Sequence, residues 1–195
     1  MKKIAFIIML IMLGIVNAAE IYVEQAGSSS TVNINQEGIG NIVGDSLNPL
    51  YIGGGSNNVD IDQIGDNNNL QGVVNGAGTS TQVTTNGSGN IQNINCGTTS
   101  SAGCSASVIK QIVTGSDNTV TQDLGTGANH NSQITISGND NSVTHTSTNA
   151  GASTVDVSVT GNQNTVGVTQ SGLTAKTVSV TSTGNSNNIT INQSE

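Results

Sequence analysis

Tryptophan is absent from this chain, phenylalanine occurs once and tyrosine twice. An ordinary core draws much of its burial from large aromatic side chains, so an interior here has to be built from Val and Ile. Only 8% of the residues are charged, and there is one proline. Those two shortages argue against the open, self-repelling chain that low hydrophobicity usually signals. Positive charge is scarcest of all, with 4 Lys and Arg against 12 Asp and Glu. No basic patch is available to track a phosphate backbone, so no nucleic-acid partner is expected. Anionic membrane surfaces would repel such a chain as well. What the sequence does have is Asn, Gln, Ser, Thr and Gly interleaved with β-branched residues. That low-charge composition favours β-stacking.

The opening MKKIAFIIMLIMLGIVNAAE reads as a secretory signal peptide: a basic pair, an apolar run from Ile4 to Val16, then small residues. Val16 and Ala18 place cleavage after Ala18, with Ala19 as the alternative. The apolar run is short for a membrane span, so an uncleaved anchor is the weaker reading. No membrane insertion is expected after cleavage. Residues 1–18 are thus a leader and 19–195 a single domain. Losing Lys2 and Lys3 takes the formal charge from −8 to about −10, which helps keep an unassembled chain soluble. Cys96 and Cys104 are an even pair in an oxidising compartment, which favours a disulfide closing the loop GTTSSAG. Two free thiols or half a metal site are the alternatives. Neither His130 nor His145 stands at a ligand spacing, so no metal or cofactor is expected.

A polar knot recurs along the chain. Gly-x-x-Asn occurs at Gly38/Asn41, Gly65/Asn68, Gly87/Asn90, Gly115/Asn118, Gly138/Asn141, Gly161/Asn164 and Gly184/Asn187, with Gly27/Ser30 a near match. Gly55/Asn58 also fits, between irregular flanks. Gly76, Gly127 and Gly172 add turns without the Asn, and the unit becomes about 11 residues, paired into about 22. The segments around 44–58 and 92–107 read as insertions, the first holding the proline and the second the cysteine loop. Each unit reads apolar-x-apolar-x-Gln-x-Gly-x-x-Asn-x, as in VDIDQIGDNNN. Alternation makes a strand with one inward set of side chains, and Gly with Asn makes the bend. Two strands and two bends make one coil. Stacked coils make an all-β solenoid of about seven coils, spaced as in cross-β structure.

Charge placement agrees with that phase. Glu24, Asp60, Asp62, Asp156 and Lys110 fall on outward positions of strands, while Glu37, Asp66, Asp117 and Asp140 fall at turns. An isolated buried charge is costly, so a real interior requires this segregation. The inward phase also carries Gln25, Gln36, Gln63, Gln122, Gln170 and Gln193, with the turn Asn residues. In a stack each amide can bond its equivalent above and below, so amide ladders are expected.

These residues carry a resemblance. The unit is similar to the curlin repeat of bacterial curli subunits, best seen in IYVEQAGSSSTVNINQEGIGN, VDVSVTGNQNTVGVTQSG and VSVTSTGNSNNITINQ. The resemblance implies export across the outer membrane of a Gram-negative bacterium through a dedicated secretion pore. It then implies polymerisation at the cell surface into amyloid fibres for biofilm matrix, adhesion and aggregation. The implied partners are other copies of the chain, further curlin-like subunits and the outer-membrane secretion apparatus. Carried over by position, Gln25, Gln36, Gln63, Gln170 and Gln193 become ladder residues. So do Asn41, Asn68, Asn90, Asn118, Asn141, Asn164 and Asn187, beside the turn glycines Gly27, Gly38, Gly65, Gly87, Gly115, Gly138, Gly161, Gly172 and Gly184. Residues 21–43 and 178–193 take the place of the nucleating first and last repeats. The chain departs from the pattern in its two cysteines, in lacking a glycine-rich targeting segment, and in Thr85, Val113, Ile136, Val159 and Ser182 at the Gln position.

Other classes leave weaker traces. An ice-binding solenoid needs ranks of Thr on one flat face. Thr119/Thr121, Ser142/Thr144, Thr165/Gly167 and Asn188/Thr190 offer a broken version. A monomeric extracellular adhesin is a further alternative. Calcium-binding toxin repeats need Gly-Gly-x-Gly-x-Asp, and the single GGG at 53–55 lacks the Asp. No acid/base pair, nucleophile elbow or phosphate loop points to an enzyme.

Overall fold

A computed structural model describes residues 19–195 except 102, 126, 149 and 150; the expected leader lies outside the described residues. The described chain contains no helix. It runs β1 (Glu20–Ile21), β2 (Val23–Ala26), β3 (Thr31–Glu37), β4 (Ile42–Val43), β5 (Leu50–Gly53), β6 (Asn58–Ile64), β7 (Asn69–Asn75), β8 (Ser80–Asn86) and β9 (Ile91–Cys96). It continues through β10 (Val108–Thr114), β11 (Thr119–Asp123), β12 (Asn131–Ser137), β13 (Ser142–Ser147), β14 (Ser153–Thr160), β15 (Thr165–Gln170), β16 (Lys176–Thr183) and β17 (Asn188–Gln193). All pairs are parallel. One sheet holds seven strands in the order β16-β14-β12-β10-β8-β6-β3. The other holds ten strands in eight levels, because β1 with β2, and β4 with β5, lie end to end on one rung. The molecule is a β-solenoid of about seven coils.

Alternation places one phase of every strand inside. In β14, Val155, Val157 and Val159 are buried while Asp156 and Thr160 are exposed. Their partners in β12 and β16 continue the same columns. A fully buried Val or Ile contributes roughly 1.5–3 kcal/mol, so stability is spread over many small side chains. The buried aliphatic residues form two clusters, one from Val43 to Leu124 and one from Val113 to Val180. Between them Gln92, Gln111, Gln122, Ser132 and His145 form a polar seam, all buried. No Asp, Glu or Lys is buried among the described residues.

The irregular segments are shorter than the sequence suggests. β5 keeps register with β2 and β7, so only residues 44–49 leave the coil. There Asp45 Oδ1 accepts the N–H groups of Asn48 and Leu47 at 2.7 and 2.8 Å. Those two bonds hold its carboxyl below the ordinary range. Likewise β9 is regular, and the second excursion begins at Gly97. The corner in this segment lies one residue before the Gly55/Asn58 match. Asn58 opens β6 on its outward phase, while Asn57 is buried and donates to the Gly53 carbonyl at 2.6 Å.

Candidate functional site in the polar columns and coil edges

Each first corner of a coil runs from a turn glycine to an inward Asn, buried in every case but the last, Asn187. Asn68 illustrates the wiring. Its Nδ2 donates to Asn41 Oδ1 in the coil below at 3.0 Å and to the Gly87 carbonyl in the coil above at 2.8 Å. Its Oδ1 accepts the backbone N–H of Asn90 at 3.1 Å and Asn90 Nδ2 at 3.0 Å. Both donors and both lone pairs are used, the full capacity of an amide. The column continues through Asn118, Asn141, Asn164 and Asn187 with amide-to-amide distances of 2.9–3.0 Å. A buried amide without partners is a liability; here each one from Asn68 to Asn164 ties three coils together, while Asn41 and Asn187 at the ends spend one donor on their own coil.

The turn glycines pack directly against one another. A Cβ on Gly65 would lie 2.1 Å from the Gly87 carbonyl oxygen, and one on Gly115 2.0 Å from that of Gly138. Gly184 differs: its added Cβ meets only Asn187 Nδ2, at 3.7 Å. No coil of the described chain lies above it.

A second column lies outside the Asn ladder and was missed by the sequence reading, which left the residue after each glycine unspecified. Asp66 Oδ1 accepts the N–H of Ile39 at 2.8 Å, and Ser88 Oγ that of Asp66 at 3.1 Å. Ser116, Asn139, Asn162 and Asn185 repeat the arrangement upward. The signal was present, since every turn from the second onward has Asp, Ser or Asn there. Ile39 breaks the rule only at the lowest corner, where donation suffices.

The Gln columns differ from expectation. Gln36 and Gln63 are in register, yet their amides do not bond each other. Gln63 Nε2 crosses the interior to the Ile42 carbonyl at 3.0 Å, and both amide atoms of Gln36 are buried without a partner in the described chain. Gln25 shares its inward column with Ile52, which cannot answer an amide. Cys96 lies higher in that column, fully buried and disulfide-bonded to Cys104 with a Cα–Cα separation of 5.5 Å. Column identity changes from coil to coil, so Gln63, Gln111 and Gln122 donate to other acceptors. The amide-to-amide Gln rung in the structure is Gln170 Nε2 to Gln193 Oε1 at 3.0 Å.

That rung ends a longer chain of bonds. Gln122 donates to Ser132 Oγ at 2.7 Å, and Ser132 Oγ lies 2.8 Å from His145 Nδ1. His145 Nε2 lies 3.3 Å from Gln170 Oε1, and Gln193 Nε2 donates to the Thr177 carbonyl at 3.1 Å. Gln170 Oε1 can only accept, so His145 carries its proton on Nε2 and accepts from Ser132 at Nδ1. Every donor in this spine then points toward the last coil. At the second corners His130 plays the part of a ladder Asn: the Ser153 N–H donates to its Nδ1 at 3.3 Å. Gly127-x-x-His130 has the spacing of Gly-x-x-Asn, a likeness the sequence reading did not use.

Burial pushes the pKa of His145 down to about 4; the Gln170 hydrogen bond opposes that shift, and His130 adds to it. The unfolded imidazole binds a proton below about pH 6.5 and the folded one does not. Stability should therefore be flat above that pH and fall as pH drops toward 4, by on the order of 3 kcal/mol. Urea midpoints measured from pH 4 to 8 should show this limb, and His145→Gln should remove most of it. An unchanged limb in that variant would place the titration elsewhere.

No family model, curated protein or solved structure matches the chain.

Proposed function

We propose that this protein is the subunit of a secreted, curli-like fibre, which copies of the chain form at the surface of a Gram-negative bacterium for matrix and adhesion. The observation that carries the reading is the state of the coil edges. Among the described residues, β17 and β16 each have a strand on one edge only, as do β3 and the rung of β1 and β2. Ile189 and Ile191 are half-buried at one end, and Val32 and Ile34 at the other. These are interior columns cut across, and open strand edges of this kind recruit further strands. The resemblance to curlin repeats adds the export route and the further curlin-like partners.

The ice-binding reading has less support. In register, Thr121 and Thr144 are followed by Gly167, and Thr119 alternates with Ser142 before Thr165. Neither column makes an unbroken rank.

Incubation of the released protein tests the proposal. Thioflavin-positive fibres with a meridional reflection near about 4.7 Å and an equatorial one near about 10 Å are expected. A protein that remains monomeric over days sinks the fibre reading.

A further inference from the structure

The two sheets hold unequal numbers of rungs, eight and seven, so the chain from Glu20 to Gln193 makes fifteen half-coils. The number is odd, and both terminal rungs, β17 and the pair β1 with β2, belong to the same sheet. If a second copy were added without rotation, β1 and β2 would lie on β17. The opposite sheet would then lack one strand at every junction, between β16 and the next β3. The backbone groups facing that gap would have no partners.

We propose that consecutive copies stack with a half-turn about the solenoid axis, so that β3 of one lies on β17 of the next below and β1 with β2 lies on β16. This rests on the polymer reading and specifies its interface. The half-turn restores an unbroken alternation of strands, because the two halves of each coil share one pattern.

Side-chain register supports it. Asn188 then faces Thr31, Ile189 faces Val32, Ile191 faces Ile34 and Gln193 faces Gln36, whose amide atoms are buried without partners. The Gly184–Asn187 corner meets the 27–30 corner, and the positive φ of Ser186 (59°) matches that of Ser29 (62°). Following the wiring of the corners below, the Asn185 N–H reaches Ser28 Oγ. Asn187 Oδ1 receives the N–H of Ser30 and its Oγ, another buried atom without a partner. Ser182 Oγ, likewise unpartnered, meets Gln25. Without rotation Asn187 would meet Ala19, which has no side-chain donor.

Two paired variants read the rotation in fibres of the secreted protein. Thr190 is outward and exposed, as are Asn33 and Tyr22. With a half-turn, Thr190→Cys lies one rung from Asn33→Cys of the next copy, about 4.8 Å away. Without it, the partner is Tyr22→Cys. Under mild oxidation the first pair should convert most chains to covalent oligomers on a non-reducing gel, and the second pair should leave monomer. The reverse result, or cross-linking of neither pair, overturns the half-turn. Helical reconstruction of unmodified fibres gives an independent reading: a rise of about 36 Å per subunit, from seven and a half rungs, with a rotation near a half-turn plus the solenoid's own twist. A fibre with a rotation near zero overturns this interface and leaves the polymer reading standing. The absence of any fibre removes both.

Discussion

Thr190→Pro should give a chain that folds like the parent and does not grow. In a parallel ladder one residue directs both its N–H and its C=O to the same neighbour, and the next residue directs both the other way. Thr165 donates to the Asn187 carbonyl above it, which fixes the alternation in β15 and β17. Ile189, Ile191 and Gln193 bond downward, so Asn188, Thr190 and Asn192 point their backbone groups upward, away from the chain. Proline on that edge removes a donor that the isolated chain does not use, and edge positions tolerate it. Urea stability should change by less than about 0.5 kcal/mol. An incoming strand loses that donor, leaves an acceptor unpaired and meets the ring. A loss of about 3 kcal/mol corresponds to more than a hundred-fold in the growth equilibrium. Fibre mass at fixed protein concentration reads the effect. Undiminished growth in this variant would mean that chains do not add at β17.

The second large effect separates stacking from backbone strain. Gly115 and Gly184 both have positive φ, +117° and +101°, a region that a side chain enters at a cost of about 1–3 kcal/mol. Only Gly115 has a coil above it, with the Gly138 carbonyl oxygen 2.0 Å from an added Cβ. Backbone cannot rotate away as a side chain can, so the stack has to open. Gly115→Ala should lose at least about 4 kcal/mol, in the range reserved for severe lesions, and most of the protein should be unfolded or insoluble. Gly184→Ala should lose only the φ strain and remain folded. Its Cβ would still face an incoming copy, so it should elongate poorly. Equal destabilisation of the two variants would show that φ alone matters and that the coils are not in close contact.

The first corner could be read from the sequence because one chemistry is repeated there. Gly-x-x-Asn recurs with the same spacing, and its Asn side chains do one job. The second corner was harder to read because different side chains do that job in turn. Asn57, Thr79, Ser107, His130 and Ser153 are all buried, and most give or take a bond from the coil beside them. Pattern matching on residue identity misses a role shared by amide, hydroxyl and imidazole. The irregular match at Gly55/Asn58 has a simpler cause: three consecutive glycines allow the frame to slide by one, and the corner forms at Asn57. The Gln ladder was over-read because phase tells which way a side chain points and says nothing of its neighbour. Gln63 lies inward as expected, but Thr85 stands above it, so its amide turns to a backbone carbonyl instead. The half-buried charge of Lys176 is explained only by tertiary structure, where Glu195 Oε1 comes to 3.9 Å from its Nζ.

The parallel register limits the reach of every contact. Paired residues lie 22 to 28 positions apart, from Thr31↔Asn58 and Ser80↔Val108 to Thr154↔Thr177. Closing a loop grows more costly only with the logarithm of its length, and here the length is nearly constant. The fifth coil therefore closes no longer a loop than the second, and folding can advance along the chain like a zipper as residues become free. Topologies that must join distant segments wait for the whole chain and fold slowly. The same short reach sets the route of damage: a faulty coil acts directly only on the two coils it touches, and coils farther along feel it through those interfaces.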